Sequence, residues 1–547
     1  MAKNIVICSD GTAATAAKNR GTNVFKLFEA VELHDQKSDP DETQQISFYD
    51  DGVGSQEWKP MKLLGGAFGY GLSRNVRQLY AELVRTYNPR PHLDQPERPG
   101  NEDDQIFLFG FSRGAFTVRT LAGMIARCGI LDRSRFDTDK ELRDAVEQAY
   151  SAYRLKHAAF FQRRFLKLMS RWKPLRLKEY IELHRVRKQT YGEPPTIRFV
   201  GVWDTVDAVG LPIAGAAHLL NMLFYRFKFS NTKLSPKVHM ARQALSIDDE
   251  RATFHPLIWD EAEEAGDRIR QVWFSGVHAN VGGGYPKHGM SLVALDWMMA
   301  ESESAGLRFV PGERARYRTL RNVNDKLYDS RSGAALCYRY WPRNIYRACQ
   351  VRCVTPIIHI SALERIAQGT EGYAPGNLPQ ECSFVETADL PRAKLVRACS
   401  RDLSVYLANQ YDRNGESSAP GVFSLLDRVG RLVHLRHLSH VVSLCALAVL
   451  AVLLVRVSQA LFDTWKPSSF GEWMKVVTAF WDGVLAGTSE ALLALSLVAV
   501  LLVCLGFTEL ARARMHRVFS GFWCRTRRGL REKMAACLDP GGWTSAW

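Results

Sequence analysis

The sequence predicts an α/β fold, a mostly parallel sheet with helices on both faces, followed by a C-terminal two-helix transmembrane hairpin. Three observations predict it. Short apolar runs ending in small or acidic residues alternate with stretches of helical periodicity, which is the order of successive β–loop–α units and so of a parallel sheet. One of these units carries a Gly-x-Ser-x-Gly pentad between its strand and its helix. Two uncharged apolar runs, 438–455 and 491–508, each approach the roughly 20 residues that cross a bilayer core.

The pentad organises the chain. Ile106-Phe107-Leu108-Phe109 reads as a buried strand and Gly110-Phe111-Ser112-Arg113-Gly114 as a tight turn, after which Val118, Leu121, Ala122 and Ile125 recur at helical spacing. In such an elbow the glycines leave room where a Cβ would collide, and the serine hydroxyl stands above the strand ends. Ser112 is therefore the candidate nucleophile. Upstream, Ile5-Val6-Ile7-Cys8 reads as a first strand closed by Asp10-Gly11-Thr12, and Ile46-Ser47-Phe48-Tyr49 as a second. The glycine-rich stretch 65–71 follows no clear strand and lacks a Gly-Lys-Ser/Thr ending, which argues against a P-loop or dinucleotide site.

Downstream, the strand 197–203 stops at Asp204-Thr205-Val206-Asp207, and an acid there shares the carboxyl rim of a parallel sheet with the elbow serine. Asp204 is the first choice for the acid and Asp207 the alternate. The strand 269–274 leads into Gly276-Val277-His278, so His278 lies in a glycine-flanked loop on the same rim, with His288 the rival base. The order Ser, Asp, His is that of an α/β-hydrolase-like chain. An oxyanion would be met by the backbone N–H of Arg113 and by that of Gly11 or Thr12.

At 547 residues the chain exceeds what one core usually holds, and 46% hydrophobic with 24% charged residues is a folded composition. The expected organisation is a catalytic domain over 1–413 with cap insertions at about 130–196 and 208–265, a linker at 414–436, the hairpin at 437–510 and a basic tail at 511–547. Met222, Leu223, Phe224, Tyr225 and Phe227 suit a cap that admits acyl chains. The eleven cysteines form no Cys-x-x-Cys pair, so reduced thiols are expected, with no structural zinc, no other metal and no cofactor. The N-terminus is interrupted too early for a secretory signal.

The net charge of +15 is concentrated at 163–188 and 512–533, and because the second cluster follows an apolar run, an anionic membrane surface is the expected partner rather than nucleic acid. Arg428, Arg431 and Arg436 precede the first run, and basic residues from Arg512 to Lys533 follow the second. This bias keeps both ends, and the catalytic domain, on the cytoplasmic side. Phe462, Trp465, Phe470, Trp473, Phe480 and Trp481 suit an interfacial aromatic belt between the runs. The hairpin is expected to act as an anchor outside the catalytic core.

Asp10-Gly11-Thr12, Gly52-Val53-Gly54, Gly110-Phe111-Ser112-Arg113-Gly114-Ala115-Phe116, Val202-Trp203-Asp204-Thr205-Val206, Asp249-Glu250-Arg251, Gly276-Val277-His278 and Val281-Gly282-Gly283-Gly284-Tyr285 together resemble the catalytic domain of the type VI secretion phospholipase effectors. The resemblance runs from the first strand to His359-Ile360-Ser361 and Tyr373-Ala374-Pro375. It implies a Ser-Asp-His esterase that cleaves glycerophospholipid acyl bonds, with the triad on Ser112, Asp204 and His278. Membrane phospholipids are then the substrate, and a secretion-needle component or an immunity protein the protein partner. It also implies an alternative location, an exported effector acting on a target-cell membrane. Asn280 stands where relatives commonly have Asp, and Ala13 where an aromatic often follows Asp-Gly-Thr. Neither removes a triad member, and Asn280→Asp is expected to be tolerated. The competing expectations are a membrane-binding or pore-forming scaffold without turnover, and an esterase for another acyl substrate.

Overall fold

The computed structural model describes residues 2–11, 21–33, 43–52, 66–89, 104–156, 175–207, 233–264, 266–333, 335, 338–352, 354–413, 424–464, 478 and 489–538. Among them eight strands form one parallel sheet. They are β1 Lys3–Ser9, β2 Gln44–Asp50, β3 Gln105–Phe111, β4 Ile197–Trp203, β5 Val238–Ser246, β6 Ile269–Phe274, β7 Ile357–His359 and β8 Ser383–Val385, in the order β2-β1-β3-β4-β5-β6-β7-β8. Every pair is parallel. All carboxyl ends therefore open on one rim.

The helices that matter for the site and its supports are α1 Asn23–Ala30, α2 Gly66–Thr86, α3 Arg113–Cys128, α4 Asp139–Lys156, α5 His278–Gly282, α6 Gly289–Ser304, α7 Ile360–Gln368, α8 Ala393–Arg413, α9 Gly430–Thr464 and α10 Ser489–Leu538. Period-2 alternation decides which layer each strand residue meets. Ile5 and Ile7 of β1, with Ile106 and Leu108 of β3, pack under α2, α3 and α4. Val6 and Cys8, with Phe107 and Phe109, pack under α1 and α6 on the opposite face. Burial on both faces is why these strands read as continuous apolar runs.

β5 lies at the centre of the sheet, inside the stretch expected to be a cap insertion at 208–265. It escaped the sequence pattern because Arg242 and Gln243 interrupt it. Arg242 bonds Glu301 and Asp267, while Gln243 donates to the Gln271 side chain (3.1 Å) and accepts from Thr205 (2.6 Å), so both polar groups are buried with partners. β7 and β8 are too short to show a period. The insertion expected at 130–196 is corrected in part as well. Leu142, Val146, Ala149 and Tyr150 of α4 belong to the same core as α2 and α3. Met222, Leu223, Phe224, Tyr225 and Phe227 lie outside the described residues, as do 163–174 and Trp465, Phe470, Trp473, Phe480 and Trp481.

The C-terminal helices are not separate from the core. α9 begins at Gly430, within the expected linker, and α9 and α10 are long and apolar enough to cross a membrane. Their apolar side chains face outward, Leu502 at 65% exposure and Val503 at 71%. The second half of α10, expected as a basic tail, is instead part of a core under β7 and β8. There Phe522, Trp523, Leu530 and Met534 pack with Leu363 and Ile366 of α7 and with Val396, Leu403 and Leu407 of α8. Trp523 Nε1 donates to the Pro375 carbonyl at 2.8 Å. Arg527 and Arg531 donate to the carbonyls of Ile366 (2.9 Å) and Ala367 (2.6 Å) in the last turn of α7, where a cation also meets the negative helix end. Two arginines assigned to lipid by the sequence pattern are thus helix caps.

Trp523→Ala is expected to lower stability by about 3–5 kcal/mol, the usual cost of emptying a buried Trp site, as read from denaturant unfolding in detergent. A chain ending at Arg413 should aggregate or lose its cooperative transition, because it exposes the same cluster.

Candidate active site

The elbow is strained and sterically specified. Ser112 has φ 57° and ψ −118°, between Phe111 at the end of β3 and Arg113 at the start of α3. A side chain is rarely carried at that φ, and such strain persists only where its surroundings enforce it. A Cβ on Gly110 would come within 2.6 Å of the Gly114 carbonyl oxygen, and one on Gly114 would collide with the carbonyl oxygens of Ser9 and Asp10. The first turn of α3 is therefore pressed against the end of β1. Ser112 N donates to Trp203 O at 3.0 Å, fixing the elbow to β4.

Asp204, the first residue beyond β4, also has positive φ, 41°. Its carboxylate is fully buried. Oδ1 accepts from Ser246 N (3.0 Å) and Arg343 (2.7 Å), and Oδ2 from Ser246 Oγ (3.1 Å), from the other terminal nitrogen of Arg343 (2.8 Å) and from His278 Nδ1 (2.5 Å). Burial pushes its pKa up, but the charge and hydrogen bonds of Arg343, then those of His278, outweigh burial and hold it well below the usual carboxylate range.

His278 opens α5, its N–H donating to Asp249 Oδ2 at 3.2 Å. The ring lies 4.6 Å from that of Phe111 and meets Phe254 edge-on at 5.0 Å. Burial lowers the His278 pKa against the pull of Asp204, so the imidazole is neutral at pH 7, the state a general base needs. Nε2, the nitrogen not taken by Asp204, is buried and carries no hydrogen bond. The structure thus brings Asp204 and His278 into contact and sets Ser112 on the adjoining strand end, without a hydrogen bond between Ser112 and His278 Nε2. Such links tighten when substrate binds.

Neither ring nitrogen of His278 bonds Asp207. His288 precedes α6, and its Nδ1 faces the Pro286 carbonyl at 3.4 Å. Of the expected oxyanion donors, Arg113 lies in the first turn of α3, whose N–H groups have no intrahelical acceptor. The Gly11 N–H donates to Asp10 Oδ1 at 2.6 Å, and Thr12 lies outside the described residues. Asp10 also accepts from Thr22 and from Tyr49 (2.7 Å), and burial raises its pKa to about 6 despite these donors. Two site residues were missed by sequence reasoning. Ser246 and Arg343 both hold Asp204, and Arg343 has no local signal in the run 338–344, where Arg339 also stands.

A parallel sheet whose rim carries a strained serine elbow beside a buried His–Asp pair has the form of an α/β-hydrolase. The chain belongs to the type VI secretion phospholipase effectors, Tle1-like, whose catalytic-domain model matches residues 3–301. It is 27% identical over 274 residues to an uncharacterized protein of Saccharomyces cerevisiae, a match covering 47% of this chain and 32% of the yeast protein. The chain thus spans about a third of that relative. Among solved structures, it is similar to an uncharacterized protein from Pseudomonas aeruginosa (TM-score 0.33, 18% identity, 75% of this chain and 59% of that one). It is also similar to the Tle1 effector bound to the VgrG spike of the type 6 secretion system (TM-score 0.32, 14% identity, 61% of this chain and 78% of that one).

Asn280 is buried, and its Nδ2 donates to the Lys326 carbonyl at 3.0 Å while its Oδ1 accepts from Val277 N at 3.3 Å. An aspartate would lose the donor and set a buried charge against a carbonyl, which weighs against the expectation of tolerance. Asn280→Asp should cost about 1–3 kcal/mol at pH 7, and less at acid pH where the new carboxyl is neutral, as read by thermal unfolding. Asp10 predicts a second pH effect. Its folded pKa of about 6 exceeds the ordinary aspartate value of 3.8, so its contribution is fully present below the lower value and fades as pH rises through the upper. Asp10→Asn should remove up to about 3 kcal/mol of that slope, measured as the wild-type-minus-variant difference across this window.

Proposed function

We propose that the protein is a serine hydrolase that cleaves acyl ester bonds of membrane phospholipids, phospholipase A-like, through an acyl-enzyme on Ser112. The observation that carries this reading is the strained Ser112 elbow on one rim with His278, whose Nδ1 is taken by the buried carboxylate of Asp204. With Nδ1 committed, Nε2 is the basic nitrogen, free to accept the Ser112 proton as Oγ attacks the acyl carbonyl. Asp204 fixes the tautomer and stabilises the imidazolium, which then protonates the leaving lyso-alcohol. Water, deprotonated by the same nitrogen, releases the fatty acid. The Arg113 amide supplies one oxyanion donor. Gly11 N–H supplies a second only by turning from Asp10 to the oxyanion.

Family membership supports phospholipid as the substrate and a secretion-spike component, or an immunity protein, as the protein partner. The outward apolar faces of α9 and α10 support action at a bilayer that the helices enter. The basic residues on the outer flanks of both helices support a catalytic domain on the cytoplasmic side of that bilayer. A target-cell membrane reached by export supplies the same chemistry.

A fluorophosphonate should label wild-type protein at Ser112, and Ser112→Ala should lose label and about 10³-fold or more of the fatty-acid release from phosphatidylethanolamine/phosphatidylglycerol vesicles. Asp204→Asn should approach the same loss, whereas Asp207→Asn should stay within a few-fold of wild type. Full release by Ser112→Ala would overturn the assignment.

A further inference from the structure

We propose that Arg343 is a positioning residue for hydrolysis, holding Asp204 and through it His278, and that the base of the C-terminal hairpin in turn holds Arg343. The inference rests on the reading of Ser112, His278 and Asp204 given above. Arg343 is 2% exposed and grips both carboxylate oxygens of Asp204, at 2.7 and 2.8 Å. The same two nitrogens donate to the carbonyls of Ser246 (2.6 Å) and Phe254 (2.5 Å). The planar fork of a guanidinium makes this arrangement, and an ammonium does not. One side chain thereby ties the acid to the end of β5 and to the backbone of Phe254, whose ring packs edge-on against His278. It also braces Asp204 at its unfavourable φ.

The residues beside Arg343 are seated on the hairpin. Tyr340, fully buried, lies under Arg436 of α9, the guanidinium carbon 3.8 Å from the ring centre, and packs with Val429, Val433 and Met515. Trp341 meets His434 and His437 of α9 edge-on at 5.2 and 5.5 Å, while its backbone N–H donates to the Glu250 carbonyl at 2.8 Å. Arg436 also reaches Glu250, at 3.6 Å. Asn344 Nδ2 donates to Asp427 Oδ1, just before α9, at 2.9 Å. The run 340–344 therefore links the point where the hairpin leaves the catalytic domain to the carboxylate that orients the base. Insertion of the hairpin into a bilayer acts on hydrolysis along this route, besides bringing enzyme to substrate.

The test uses the full-length protein in micelles with a soluble short-chain ester, so that membrane recruitment is not measured. The charged and titratable groups facing the His278–Asp204 pair are Arg343, Asp249, Arg251 and His255. Of these Arg343 touches the carboxylate and offsets the negative charge that stabilises the imidazolium. Arg343→Gln should lower kcat/KM by about 10²-fold and move the acid limb of its pH profile about one unit upward, since a less compensated Asp204 favours protonated His278. Arg343→Lys should restore the position of that limb while recovering little of the rate, because charge returns without the fork. Tyr340→Ala, at the hairpin end, should lower kcat about tenfold and slow fluorophosphonate labelling of Ser112 in proportion.

A folded Arg343→Gln with wild-type rate and an unmoved limb would overturn the proposal. If that variant does not fold, Arg343→Lys decides, a wild-type rate overturning it and a loss of rate at an unmoved limb upholding it. Full rate in Tyr340→Ala overturns the link to the hairpin. Absence of labelling at Ser112 in wild type is a different failure, that of the hydrolase reading itself.

Discussion

A carboxylate with no contact with solvent stands at the end of β4, and the site is arranged to keep it ionised. Removing a charge from water costs several kcal/mol unless its lone pairs are met, and a partly satisfied ion is worse than none. Asp204 meets that cost with donors from three places distant in the chain, Ser246 at the end of β5, His278 after β6, and Arg343. Parallel strands make such a gathering natural, since every strand ends on the same rim.

The rim is also where the backbone is bent out of its ordinary regions. Among the described residues, only Ser112, Asp204 and Glu371 combine a side chain with positive φ, and the first two close adjoining strands. They brace each other through backbone bonds. Ser112 N donates to Trp203 O, Val206 N to Ser112 O, and Asp204 N to Ala244 O. Strain held by its neighbours in this way keeps Ser112 and Asp204 at fixed positions on the rim, which is the physical content of preorganisation.

The C-terminal helices join two physical roles that the chain keeps separate in space. Their outward apolar faces need a non-aqueous partner, while the inner half of α10 completes the core under β7 and β8. The same helix therefore carries an outward apolar face and packs against α7, α8 and the neighbourhood of Tyr340.

The α/β class, five of the strands, the serine elbow and the placement of Asp204 and His278 on the same rim were legible because each rests on local pattern: apolar runs, glycines demanded by a turn, an acid or a histidine just past a strand. Spanning length in the C-terminal runs was legible for the same reason. What tertiary structure alone decided is what depends on partners far apart in sequence. β5 was hidden because Arg242 and Gln243 look wrong for a central strand until Glu301, Asp267, Thr205 and Gln271 are beside them. The basic end of α10 looked like a lipid-binding tail because a sequence shows the charge of Arg527 and Arg531 but not the carbonyls of Ile366 and Ala367 that receive it. Arg343 was invisible for the strongest form of this reason, since a buried arginine is defined by the carboxylate it meets, and that carboxylate is 139 positions away in the chain.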